Sequence, residues 1–216
     1  VMGTEASERP ATAAETATIA QHIRSAMDAG ASGFSSSNNR SQIGYRGRPF
    51  AARLTSRDEY AAYGAVLRDV GRGVIQIAVT NRFATLADDE YVLLDLLLAA
   101  SGRKVTWISL LNDSAKPNGC REVLDKADPL LRRGSAPQML IRSMLREFTL
   151  KAPYPFSEIK AAGRVFNRSL EEQKRVYADP QFRADFKAEL AEGRRFTGHP
   201  PKVLICRTAN PALRHY

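Results

Sequence analysis

Two six-residue runs limit what this chain can become. Val74-Ile75-Gln76-Ile77-Ala78-Val79 and Val105-Thr106-Trp107-Ile108-Ser109-Leu110 are rich in β-branched residues and almost continuously apolar, the composition of strands covered on both faces inside a parallel sheet. Parallel neighbours cannot be joined by a tight hairpin, so each junction needs a crossover of a dozen or more residues, usually a helix. The sequence supplies one each time. Thr12-Ala13-Ala14-Glu15 and Ser56-Arg57-Asp58-Glu59 are capping boxes, in which a hydroxyl and a carboxylate satisfy each other's free backbone amides at a helix start. Behind the second, Tyr60, Tyr63, Leu67 and Val70 recur at helical spacing, and Gly71 and Gly73 end the pattern.

The same rhythm continues along the chain. Gly33-Phe34-Ser35-Ser36 fits a short first strand, and a third helix is predicted over residues 88–101. A fourth helix covers residues 119–133, where Pro129 is expected to kink or shorten it. Residues 139–144 read as a fourth strand and residues 202–206 as a fifth. Between them Ser169-Leu170-Glu171-Glu172 caps one helix, and Asp179-Pro180 starts another with proline where its missing amide hydrogen costs nothing. Strands alternating with amphipathic helices predict the α/β class, a parallel sheet with right-handed crossovers and helices outside. Five strand candidates are too few to close an eight-stranded barrel alone. The absence of Gly-x-Gly-x-x-Gly and of Gly-x-x-x-x-Gly-Lys-Ser/Thr weakens a nucleotide-binding doubly wound sheet.

Composition narrows the function classes. At 216 residues, 44% hydrophobic and 25% charged, the chain has the balance of an ordinary globular protein and the length of one domain. Its greasiest run, residues 91–100, is broken by Asp95 and falls short of the ~18 apolar residues of a membrane helix, so no membrane partner is expected. The opening Val1-Met2-Gly3-Thr4-Glu5 lacks the basic-then-apolar pattern of a secretory signal, which predicts a cytoplasmic protein. Cys120 and Cys206 stand far apart without metal-ligand spacing and read as buried thiols. The formal net charge of +9 comes from scattered groups such as Arg40, Arg46, Arg48, Arg132-Arg133 and Arg194-Arg195 with no aromatic platform among them. A solvated basic face is expected, not nucleic-acid binding.

Few residues have the makings of a reactive centre. His22, His199 and His215 all lie away from the C-terminal ends of the predicted strands, so no metal ligand and no catalytic residue is assigned on this chain. Five residues are candidates for contact with a substrate. Ser35 belongs to a serine run at a strand end, where a barrel places its site, although a polar turn bonding its own backbone also accounts for such a run. Arg142 interrupts the apolar residues 139–145, so its charge either lines a polar cavity or reaches water at the strand end. Arg40 sits in the long polar loop of residues 37–55, a length usually reserved for function or motion. Gln76 and Ser109 are the polar positions of the second and third strands, able to bond a ligand or each other.

Asp28-Ala29-Gly30-Ala31-Ser32-Gly33-Phe34-Ser35-Ser36-Ser37 resembles the Asp-Ala-Gly-Ala-x-Gly-Phe-Ser-x-Ser element of the N-acyl-D-amino-acid deacylase (D-aminoacylase) family, within the amidohydrolase superfamily. Gly71-Arg72-Gly73-Val74-Ile75-Gln76 and Val105-Thr106-Trp107-Ile108-Ser109-Leu110-Leu111 are similar to its next two strands. Tyr154-Pro155-Phe156, Asp179-Pro180 and Asn210-Pro211-Ala212 also look similar, so the likeness runs over nearly the whole chain. The resemblance implies a metal-dependent (β/α)8 TIM-type barrel, usually holding zinc, in which a metal-bound hydroxide attacks an amide carbonyl and an aspartate shuttles the proton. It implies that residues 1–216 are the central part of one incomplete domain of this kind. The family's His-x-His or His-x-Asp pair and its late aspartate would fall outside them. Where catalytic members often carry Ser-His-x-Lys, this chain has Ser109-Leu110-Leu111-Asn112, and no histidine is available there.

The expectation is therefore a partial (β/α)8 barrel with a small-molecule amide substrate in its complete form, inactive as this fragment. Zinc belongs to complete members and is not expected on this chain alone. A partial barrel leaves two strand edges and one sheet face uncovered, so the missing segments or an oligomer partner must complete it. The alternative is a non-enzymatic α/β module that binds an anionic small molecule or a protein partner through Arg40, Arg142 and the long loop.

Overall fold

The computed structural model describes residues 1–40, 42, 44, 48–113, 116–140, 147–156, 159–166, 168–191, 205 and 207–213. They belong to two compact units, Val1–Leu145 and Arg146–Tyr216. The first unit runs α1 (Ala13–Asp28), β1 (Gly33–Ser37), α2 (Arg57–Val70), β2 (Val74–Ala78), α3 (Asp88–Ser101), β3 (Lys104–Ile108), α4 (Gly119–Leu131) and β4 (Ser135–Gln138). All pairings are parallel and the sheet order is β1-β2-β3-β4. The α/β class and the alternation expected from the sequence are both present.

The capping boxes form as read. Thr12 Oγ1 accepts from the Glu15 amide while Glu15 accepts from the Thr12 amide, and Ser56 and Glu59 repeat the exchange at the head of α2. Gly71 ends α2 at φ 73°, a left-handed value that side chains resist. Gly33 is required for a different reason. Its φ is 146° and a Cβ there would lie 1.9 Å from the Val74 carbonyl oxygen, so only glycine lets β1 come alongside β2.

Register decides which residues meet. Phe34, Ile75, Val105 and Ser135 are Cα partners across the sheet, as are Ser36, Ile77, Trp107 and Pro137. Side chains alternate along a strand, so these two rows share one face. That face holds the core: Ile75, Ile77, Val105 and Trp107 are fully buried against Leu67, Leu94, Leu97 and Leu130 from the helices. Trp107 also donates its indole N–H to Ser135 Oγ at 3.0 Å.

The other face corrects the sequence reading. β2 and β3 were expected to be covered on both sides, yet Val74 and Ile108 are each 40% exposed, Lys104 is exposed, and Gln76 and Thr106 are half-buried. An apolar run reports that a strand is interior to the sheet, which β2 and β3 are, but not that a second layer covers it. The fourth strand is displaced as well. It spans Ser135–Gln138, and Met139 and Leu140 lie beyond it with 62% and 50% exposure; residues 141–144 lie outside the described residues. Pro137 lies within this strand. Among the described residues β4 pairs only with β3, and a proline lacking an amide hydrogen is tolerated on an edge. Pro129 is accommodated inside α4, which ends two residues later. The fifth predicted strand falls on residues of which only Ile205 is described.

The second unit contains α5 (Leu170–Ala178), capped by Ser169 with Glu172, and α6 (Pro180–Ala191), whose second residue Gln181 donates its amide to Asp179 Oδ1 at 2.9 Å. Ile159, Ala161, Ala162, Val165 and Phe182 form its core, with Phe156 and Phe186 packed edge-to-face beside them. Gln173, 5% exposed, ties two chain segments together by donating to the carbonyls of Lys151 and Val165. None of the described helices is long and apolar enough to cross a membrane.

Candidate functional site

Four parallel strands end on one edge of the sheet, and in open α/β sheets ligands bind outside the carboxyl ends of the strands. Hydrogen bonds order this edge. After β1, the Asn39 amide N–H donates to Ser37 Oγ at 3.2 Å, and its side-chain nitrogen donates to the Thr80 carbonyl at 3.0 Å. After β2, Thr80 Oγ1 accepts from the Ser109 amide at 2.8 Å and donates to the Ser109 carbonyl at 3.2 Å, binding the ends of β2 and β3 to each other. Leu110 donates its amide to the Gln138 carbonyl at 2.9 Å, which brings in β4. Asn39 and Thr80 are 8% and 2% exposed, so these polar groups are buried and bonded as stability requires.

Two buried carboxylates hold the loops above. Glu90, 4% exposed, accepts from the Asn81 amide at 2.8 Å and the Asn81 side chain at 3.0 Å through Oε1, and from the Ala87 amide at 2.8 Å through Oε2. Glu59, 5% exposed, accepts from the amides of Ser56 and Ala11 through Oε1 and from the Tyr63 hydroxyl through Oε2. Burial and then the Glu59 charge push the Tyr63 hydroxyl up, and burial raises Tyr60, whose oxygen lies 3.0 Å from Ser36 Oγ. Both phenols stay protonated and act as fixed dipoles. With Glu59 and Glu90 on the first turns of α2 and α3, the positive ends of those helices are already matched by carboxylates.

The predicted contact residues separate into two groups. Ser35 and Gln76 are Cα partners on the open face, one exposed and one half-buried, with Thr106 next in the row. Ser109 stands past the end of β3, half-buried and engaged through its backbone by Thr80. Gln76 and Ser109 do not bond each other as they were thought able to. The partner of Gln76 is Thr106, three residues before Ser109 and so about 10 Å along the strand. Arg40 bonds Asn81 Oδ1 through its amide at 2.7 Å, while its guanidinium, 75% exposed, lies 3.8 Å from Asp89. Arg142, Cys206, His199 and His215 lie outside the described residues. His22 is exposed on α1, and Cys120 is half-buried at the start of α4.

Sequence reasoning passed over Asn39, Thr80, Asn81, Glu90, Thr106 and Gln138. Polar residues immediately after an apolar strand were the available signal for Thr80 and Asn81, and Asn39 lies in a polar run that continues β1. Glu90 was concealed because Ala87 precedes α3, so no capping-box pattern marks it. Gln138 donates to Thr106 Oγ1 at 3.0 Å, extending the polar row of the open face to β4.

The open face presents the hydroxyls of Ser35 and Thr106 and the side-chain amides of Gln76 and Gln138, which can orient a neutral polar group such as an amide. They do not fit zinc, which takes His, Cys or carboxylate ligands; among the described residues no three such groups converge, and Glu90 already accepts three hydrogen bonds. No family model, no curated protein and no solved structure matches the chain.

Proposed function

We propose that the first unit is an arc of a (β/α)8 barrel of the amidohydrolase type, whose complete form hydrolyses the C–N bond of an N-acyl-D-amino acid or related amide. The observation that carries this reading is the strand order. Four parallel strands follow one another as β1-β2-β3-β4 without the reversal that a doubly wound sheet makes at its switch point, and their shared core lies on one face. The opposite face, with Ser35, Gln76, Thr106 and Gln138, is then the barrel interior, and the edge with Asn39, Thr80 and Ser109 is the wall of its mouth. In that role the arc orients an amide by hydrogen bonding, and the metal chemistry belongs to ligands on the remainder of the barrel. The resemblance of residues 28–37 to the deacylase element supports the choice of substrate class.

The test has two arms. The purified 216-residue chain, incubated with zinc and dialysed, is expected to retain no stoichiometric metal and to leave N-acetyl-D-amino acids intact. The coding sequence flanking these residues is expected to carry His-x-His or His-x-Asp upstream and a late aspartate downstream, in a protein that does cleave them. Zinc retention with turnover by the chain alone contradicts the arc, and flanks lacking both motifs contradict the enzyme.

A further inference from the structure

The second unit carries a basic groove that the barrel reading does not use. It is about 340 Å³ in volume, open to solvent, and lined by Arg164, Arg168, Glu172, Arg175 and Val176. The spacing explains the convergence. Glu172, Arg175 and Val176 fall at i, i+3 and i+4 on one side of α5, Arg168 precedes the Ser169 cap, and Arg164 ends the short 3-10 helix Ala161–Arg164.

The three guanidinium groups are held to different degrees. Arg164 is oriented by Asp179 at 2.6 Å and by the face of Phe182, 5.7 Å from its ring centre, yet remains 46% exposed. Arg168 lies 3.9 Å from Glu172 Oε1, a loose contact, because Glu172 commits its other oxygen to the Ser169 amide and hydroxyl at the head of α5. Arg175 is exposed and has no carboxylate within 4.0 Å among the described residues. Three arginines therefore border a groove whose one lining carboxylate, Glu172, already accepts from the Ser169 amide and hydroxyl. A carboxylate ligand has two oxygens to offer, whereas a phosphate has three or four in the tetrahedral arrangement that several guanidinium forks can share.

We propose that this groove binds a small, doubly charged oxyanion, a phosphate or phosphate ester, among Arg164, Arg168 and Arg175. The proposal rests on the second unit alone and does not depend on the barrel reading. Calorimetric titration of the full chain at about 150 mM NaCl, where long-range attraction is screened, is expected to show saturable binding of inorganic phosphate or phenyl phosphate and none of acetate. Whichever of the two phosphates binds more tightly identifies the free ion or the ester as the ligand. Arg168→Gln with Arg175→Gln is expected to weaken binding by at least about tenfold, while Lys174→Gln with Lys187→Gln, an equal loss of charge outside the groove, leaves it unchanged. Arg175→Gln alone removes an exposed side chain without an ion pair; it keeps the fold, checked by circular dichroism, and still weakens binding. No saturable binding up to about 10 mM phosphate, a millimolar-scale limit on affinity, overturns the proposal, and so does equal weakening by the two double variants.

Discussion

Glu90 offers a direct test of how the strand-end edge is held. Its carboxylate accepts three hydrogen bonds, two from Asn81 and one from the Ala87 amide at the start of α3, and it is 4% exposed. Glu90→Gln keeps the shape but turns one oxygen into a donor. Whichever way the new amide lies, at least one N–H group then faces another N–H. A buried donor left unsatisfied costs about 1–3 kcal/mol, and loss of the negative charge at a helix N-terminus adds about 0.3–1 kcal/mol. A destabilisation of roughly 2–3 kcal/mol follows, which lowers the urea midpoint by about 1 M at a slope of ~2 kcal/mol per M. Glu90→Ala removes all three bonds and is expected to cost more, about 3–5 kcal/mol. Trp107 is the chain's one tryptophan and is fully buried in the core of the first unit, so its fluorescence follows the unfolding of that unit. A midpoint for Glu90→Gln within about 0.2 M of the parent, an energy of a few tenths of a kcal/mol, would refute the assignment of Glu90 as the anchor of this turn.

Two further outcomes follow from local geometry. Gly33→Ala puts a Cβ against the Val74 carbonyl at a backbone angle that L-residues avoid, and is expected to cost at least ~3 kcal/mol on the same Trp107 readout; a neutral result would mean that β1 is not paired with β2 as described. Hydrogen bonds from Arg9 and then from the Thr12 amide and hydroxyl hold the Glu15 carboxyl down to about 2 from its ordinary 4.5. A depressed carboxylate stabilises fully above 4.5 and loses its contribution as pH falls toward 2. The first turn of α1 is therefore expected to keep its amide protection at pH 5 and lose it between 4.5 and 2, and Arg9→Gln should move the NMR-monitored carboxyl titration back upward.

Local physics carries far along this chain, because its decisive signals lie within a few residues of one another. The Thr12, Ser56 and Ser169 caps and the glycine end of α2 each depend on a hydroxyl, a carboxylate or a missing Cβ close by in sequence and form where they were read, and β2 and β3 form within a residue or two of their apolar runs. The α/β alternation follows from them. Tertiary structure alone decided the rest. Whether Val74 and Ile108 were covered depended on what packs across the sheet, which no run of apolar residues encodes, and both are part-exposed. Ser135–Gln138 became a strand despite Pro137 because it lies beside β3 with the sheet's core beneath it, whereas Met139 and Leu140, greasier by composition, do not. The strand-end edge required chain segments about thirty to forty residues apart to meet, Asn39 with Thr80 and Thr80 with Ser109. Hydrogen bonds of that reach are set by register, which appears only once the strands have paired.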